Sequence, residues 1–271
     1  MTRPGRGAPD RGLGGDLVVG RQAVRELLRA GRRPAREVWL AEGNTPAPVL
    51  DEIAELAARA GVPVRRVGRE RLATAAAVEA HQGVLARAQA VAEVPLAGLT
   101  ARGAGGTRPF LLVLDGVTDP HNLGAILRTA ACAGATGAVL PRHRSALLTP
   151  TVTKAAAGAI EYVPIAVVPG VAQALAALAA AGVWSVGLDP DGPASVFDLA
   201  VATEPVALVL GSEGRGLSRL VRARCEVLAR IPQAGAAGTA GGTAVGSLNV
   251  AAAAAVACFA VSLRRGSPGT G

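Results

Sequence analysis

The sequence predicts an α/β protein in two parts, the second built on a mostly parallel sheet with helices over both faces. Three observations predict it. Short apolar runs rich in valine and leucine alternate with helical patterns along most of the chain, as βα units require. In the second part those runs are apolar throughout, which suits strands buried on both faces. Between the parts lies EVPLAGLTARGAGGTRP (93–109), rich in glycine and proline and without periodicity, which reads as a linker.

The elements follow in order. Residues 1–16 hold no apolar stretch and are expected to be a disordered basic tail, with no signal peptide. The first domain spans 17–92. GRQAVRELLRAG (20–31) is an amphipathic helix with Val24, Leu27 and Leu28 inward and Arg21, Arg25, Arg29 and Arg32 outward. A strand is expected at 37–42, a helix ended by glycine at 49–61, a strand at 62–67 and a short helix at 69–76. HQGVLARAQA (81–90) ends the unit. The second domain, 110–265, offers strands at 110–114, 137–140, 163–168, 183–188, 206–210 and 227–231. Its helices fall at 122–133, 150–158, 171–181, 217–223 and 248–263, and residues 266–271 form a tail.

Composition narrows the class. The chain has 271 residues, room for about two domains. Of its 28 basic residues only Lys154 is a lysine, and against 20 acidic ones they leave a net charge of +8. Guanidinium forks bond phosphate oxygens bidentately, so an arginine-rich, basic protein suits nucleic acid. Cys132, Cys225 and Cys258 have no paired spacing, which argues against a disulfide framework or a zinc site and for a reducing cytoplasm. Residues 244–263 are almost wholly apolar, but Ser247 and Asn249 interrupt them and alanine dominates. Leu248, Ala252, Val256, Phe259 and Leu263 recur at helical spacing. That pattern reads as a buried or interface helix, and no membrane association is expected.

Two stretches place glycine and short polar residues where a strand gives way to a helix: DGVTDPHNLGAILRTA (115–130) and LVLGSEGRGLS (208–218). Open α/β sheets bind ligands at such places. In the first, Asn122 sits where a helix cap belongs, and Arg128 lies on the face opposite Leu123, Ile126 and Leu127. In the second, GxxGxG is not the dinucleotide fingerprint, no acidic residue follows at ribose distance, and the phosphate-loop GK[ST] is missing. A nucleotide-dependent oxidoreductase is therefore disfavoured. Taken singly, Arg128 is a solvated helix residue and Glu213 a turn residue.

With IPQ (231–233) and SLNVAAAAAVACFAV (247–261), the set resembles the three motifs of the SpoU family, within the SPOUT superfamily. These are S-adenosylmethionine-dependent RNA ribose 2′-O-methyltransferases with a knotted α/β domain. GRQAV and HQGVLA resemble the substrate-binding domain that precedes the catalytic domain in ribosomal-RNA members, so the likeness runs over 17–263. The resemblance implies a trefoil knot, S-adenosylmethionine as cofactor, no metal, and a homodimer through the methyltransferase domain. It implies that Leu210, Gly211, Ile231, Gln233 and Leu248 line the cofactor site. Asn122, Arg128, Glu213, Ser247 and Asn249 would line the reacting end. There are departures. Residues 234–246 exceed the family's usual turn, Gln233 replaces a common methionine, and KAAAGAIE (154–161) has alanine after its lysine where serine or threonine is frequent.

The expected partner is RNA, ribosomal RNA foremost, and the expected substrate a guanosine of 23S ribosomal RNA. A transfer-RNA guanosine enzyme and a thiostrepton-resistance type adenosine enzyme are the alternatives within the class. A catalytically silent RNA-binding protein is the alternative outside it. Arginine resists deprotonation, its pKa being above about 12, so Arg128 is expected to position ribose and phosphate rather than to take the proton.

Overall fold

The computed structural model describes residues 13–103, 106–143, 145–233 and 248–266, and these fall into two units. The first comprises residues 13–93 together with Leu147–Lys154. The second comprises Val94–Ala146 and the residues from 155 onward.

In the first unit, β1 (Leu17–Val19), β2 (Ala35–Ala41), β3 (Val64–Val67) and β4 (Val84–Ala88) form a sheet in the order β1-β4-β2-β3. β4 runs antiparallel to both β1 and β2, while β2 and β3 are parallel. Strand alternation divides β2 between two cores. Val38 and Leu40 pack with α1 (Arg21–Ala30) and α2 (Pro48–Arg59), whereas Trp39 and Ala41 pack with α3 (Arg69–Ala76). Leu27, Ile53, Leu72 and Leu85 are fully buried anchors, each contributing about 1.5–3 kcal/mol.

Helix α1 buries Ala23, Val24, Leu27 and Leu28, as its periodicity predicts. Its outward arginines do not all face solvent alone. Arg25 reaches Glu26 (2.8 Å) and Glu52 (3.7 Å), and Arg29 pairs with the same two carboxylates. Of the residues expected as tail (1–16), 13–16 are described and belong to the first unit. Leu13 donates its N–H to the Val91 carbonyl (2.9 Å) and Gly15 to that of Leu148 (2.7 Å). Residues 1–12 lie outside the described residues, as do 234–247 and 267–271. The loop before β4 is strained, with Ala77, Ala80 and Gln82 at φ 51°, 52° and 57°. Each such non-glycine residue costs on the order of 1–3 kcal/mol.

The second unit holds a seven-stranded sheet. Its strands are β5 (Phe110–Asp115), β6 (Gly137–Pro141), β7 (Ile165–Val168), β8 (Trp184–Leu188), β9 (Ala194–Ser195), β10 (Val206–Gly211) and β11 (Val227–Arg230). The order is β7-β6-β5-β10-β8-β11-β9, and every pairing among the described residues is parallel. The chain runs outward from β5 to β7, resumes on the other side at β8, and returns to insert β10 between β5 and β8. On one face Leu111, Val113, Val139 and Val209 meet α7 (Val171–Ala180) and α8 (Arg219–Arg224). Leu112 and Leu114, also fully buried, point to the other side. Helix α6 (Pro150–Ala156) follows β6, and α9 (Val250–Arg264) packs on β10 and on α5 (Pro120–Cys132).

Two expectations need correction here, and a third is narrowed from a buried or interface helix face to an outward one. The stretch 93–109 is not structureless, since it holds α4 (Leu96–Thr100), whose Leu99 is buried. Gly137 makes room for it, as a Cβ there would lie 2.7 Å from Leu99 Cδ2. The cap of α5 is Asp119 rather than Asn122, because Pro120 takes the first helical position, where its missing N–H is harmless. The stripe on α9 is the outer one. Its buried face is Val250, Ala254, Ala257, Cys258 and Val261, while Phe259 and Leu263 are 51% and 76% exposed. No helix of the described residues is long and apolar enough to cross a membrane.

Candidate functional site

Because the second sheet is parallel, the loops leaving β5, β8, β10 and β11 gather beyond one edge of it. The reversal of strand order falls between β5 and β10, where ligands of such sheets bind.

The loop after β5 begins at Asp115, whose Oδ2 accepts the Ser218 N–H (2.8 Å) and ties this loop to the end of the next. Asp119 then caps α5, its Oδ1 accepting from the N–H groups of His121 (2.6 Å) and Asn122 (3.1 Å). The capping is complete without the Asn122 side chain, which is left for another partner.

The loop after β10 closes on itself. Ser212 and Gly216 exchange backbone hydrogen bonds of 3.0 and 2.9 Å. A Cβ on Gly211 would sit 2.1 Å from the Gly216 carbonyl carbon, so only glycine fits at the end of this strand. The tight turn leaves Glu213 exposed at its tip.

Asn249 joins the three motifs. Its Oδ1 caps α9 by accepting from Ala251 N–H (2.9 Å) and Ala252 N–H (3.3 Å). Its Nδ2 donates to Asn122 Oδ1 (3.1 Å) and to Glu213 Oε1 (2.6 Å). One amide thus caps a helix and holds two side chains of the expected reacting end. Arg128 is exposed on α5 and has no hydrogen bond or ion pair among the described residues. Ser247 lies outside them.

Beside this cluster is a cleft of about 560 Å³. Leu210, Gly211, Ile231, Gln233 and Leu248, the five residues expected at the cofactor, all line it, and so does Glu213. Leu248 is 42% exposed there and provides an apolar flank with Ile231. The far wall was not anticipated. It is Asp189, Pro190 and Asp191 after β8, with Arg222 from α8. Arg222 Nε donates to Asp189 Oδ2 (2.6 Å). Burial alone would raise the Asp189 pKa. The Arg222 hydrogen bond, the Asp191 N–H and the Arg222 charge outweigh it and hold the carboxyl below its usual range. The sequence signal was DPDG (189–192), a turn tetrapeptide at a strand end. An apolar flank, a glycine turn approached only by backbone and a fixed carboxylate suit a ligand with a flat ring and polar or cationic groups. S-adenosylmethionine has that chemistry. Among the described residues no three His, Cys, Asp or Glu side chains converge on a metal position.

Comparison with known proteins bears on both units. Residues 109–259 match the SpoU rRNA Methylase family, and residues 17–94 match the RNA 2′-O ribose methyltransferase substrate binding family. A protein of Pseudomonas putida named 23S rRNA (guanosine-2′-O-)-methyltransferase RlmB is 40% identical over 247 residues, covering 90% of this chain and 94% of its own. The putative TrmH family tRNA/rRNA methyltransferase YacO of Bacillus subtilis is 38% identical, covering 94% and 98%. Among solved structures, the SpoU methyltransferase AviRb of Streptomyces viridochromogenes, in complex with AdoMet, superposes with a TM-score of 0.73. It is 25% identical, over 92% of this chain and 90% of that one. By both matches and by the length over which its relatives align, the chain belongs to the SpoU family of RNA methyltransferases.

Proposed function

We propose that this chain transfers a methyl group from S-adenosylmethionine to the ribose 2′-hydroxyl of a guanosine in 23S ribosomal RNA. Residues 110–265 would do the chemistry and residues 17–92 would hold the RNA. The observation that carries the reading is the Asn249 amide bridging Asn122 and Glu213 beside the cleft. The relatives' names supply the substrate.

Bound in the cleft, S-adenosylmethionine would supply a methyl on a sulfonium, which leaves readily. The protein's task is then to align the hydroxyl and to ease loss of its proton. Arg128, charged and unspent, fits orientation of the ribose and its phosphate and stabilisation of developing negative charge. Glu213 uses Oε1 on Asn249, and its Oε2, a water or the RNA phosphate accepts the proton. Glu213→Gln, followed by a pH profile of turnover, separates the first acceptor from the other two.

The same reading includes the family's trefoil threading, a cytoplasmic location that suits three free cysteines, and a homodimer. For the dimer, the outward stripe of α9 with Phe259 and Leu263 is the seam, since apolar surface of this kind is commonly covered by symmetric pairing. Phe259 is half exposed in the single chain, so Phe259→Asp should yield a folded monomer in analytical ultracentrifugation. A wild-type monomer at micromolar concentration overturns the dimer.

The activity is tested with tritiated S-adenosylmethionine and a 23S ribosomal RNA transcript. Label should survive in alkali-resistant dinucleotides, because a methylated 2′-oxygen cannot attack its phosphate. Label confined to bases would refute ribose methylation.

A further inference from the structure

Strand β4 is entered through residues 77–83, four of which, Ala77, Ala80, Gln82 and Gly83, have left-handed φ. Non-glycine residues keep that conformation only where surroundings hold it, and such segments gather at ligand sites. Here the holding is done from a distance in sequence. Arg21 Nε donates to the Gln82 carbonyl (3.1 Å), Asn44 Nδ2 to that of Gly83 (3.0 Å) and Lys154 Nζ to that of Glu79 (2.8 Å).

These bonds leave donors unspent. Among the described residues Arg21 keeps its two terminal nitrogens, Lys154 keeps two of three hydrogens, and Arg69 makes no hydrogen bond. None of the three forms an ion pair among the described residues, and the exposed Glu70 and Glu79 pair with none of them. His81 Nδ1 accepts the Gly83 N–H (3.0 Å), so the neutral ring carries its hydrogen on Nε2. Burial first, then the charges of Arg69 and Lys154, hold the imidazole below its ordinary pKa. Arg21, Arg69 and Lys154 thus set three cations against the carboxylates of Glu70 and Glu79, and neither carboxylate takes up their remaining donors. Helix α1 differs, because Arg25 and Arg29 already face Glu26 and Glu52.

We propose that loop 77–83, with Arg21, Arg69, His81 and Lys154, binds the phosphodiester backbone of the RNA substrate. A phosphodiester is an anion that only accepts hydrogen bonds, the complement of this surface. The inference rests on the RNA reading above and gives the first unit's RNA contact a place, at this loop rather than on the outer face of α1.

The experiment compares two charge-matched double variants of the full chain, Arg69→Gln/Lys154→Gln and Arg25→Gln/Arg29→Gln, for binding to a labelled 23S ribosomal RNA transcript across a salt series. The loop variant should bind about tenfold more weakly at moderate salt, with a log–log salt slope smaller by about 1–2 as phosphate contacts are lost. The α1 variant should keep nearly the wild-type slope. Equal losses in both would reduce the effect to net charge and overturn the site, as would an unchanged loop variant. Arg69 has no hydrogen-bond or ion-pair partner among the described residues, so Arg69→Gln alone should keep the wild-type melting curve and still show part of the loss. Wild-type methyl transfer is read on the same transcript. Binding without transfer would refute the enzymatic reading while the slopes still decide the site.

Discussion

Helices α5 and α9 pack together and begin with the same device, a short polar side chain accepting two backbone N–H groups. The two caps differ by one functional group. Asp119 is an acid with acceptors alone, and among the described residues its side-chain bonds end at His121 and Asn122 N–H. Asn249 is an amide, so while its oxygen caps α9 its nitrogen reaches across to α5 and to the turn after β10. The first cap only starts a helix. The second starts a helix and assembles a site, which is why an amide there is not interchangeable with an acid.

The comparison can be broken most sharply by making the second cap resemble the first. Asn249→Asp keeps an acceptor for both capping hydrogen bonds but sets a carboxylate against Glu213 and the Asn122 oxygen. Methyl transfer should fall on the order of 10³-fold, the upper end for loss of one preorganised polar contact, with helicity by circular dichroism unchanged. Near-normal turnover would reduce the Asn249 cluster to helix capping. Arg128→Lys, on the helix that Asp119 starts, should retain cofactor affinity by calorimetry and lose about 10²-fold in turnover, since lysine lacks the fork. Asn122→Ala removes one of two acceptors of the Asn249 amide and should cost about tenfold, the worth of one net hydrogen bond. Asp119→Ala acts on the helix alone. It should lower stability to denaturant by about 1 kcal/mol and leave the folded enzyme's turnover intact. Asp119→Asn should change stability by only a few tenths of a kcal/mol, since the two residues cap equally well.

The legible parts of the fold were those with a local cause. The α1 face, α3 at 69–76 and the buried strands β5, β6 and β10 follow from periodicity and composition. What escaped depends on tertiary partners. β1 and β9 have three and two residues, too few for a period. α4 lies among glycines and prolines and is anchored by Leu99 over Gly137. At the site, sequence pattern placed Asn122, Glu213 and Asn249 in three separate motifs, but their meeting needs the strand order that brings β10 beside β5. By residue type both Asn122 and Asp119 suit a cap, and Pro120 decides between them. Asp189 and Arg222 are 33 residues apart and become partners only once β8 and α8 are placed.

The three thiols also differ in a way that experimenters can use. Burial pushes Cys258 up to about 12. Burial, then the charges of Asp115, Glu226 and Asp189, does the same to Cys225, so neither offers appreciable thiolate at neutral pH. Cys132 alone is exposed, at the end of α5. A maleimide fluorophore should therefore attach at one position without any cysteine being removed. That dye would ride on the helix that carries Asn122 and Arg128, giving an optical report from the reacting end.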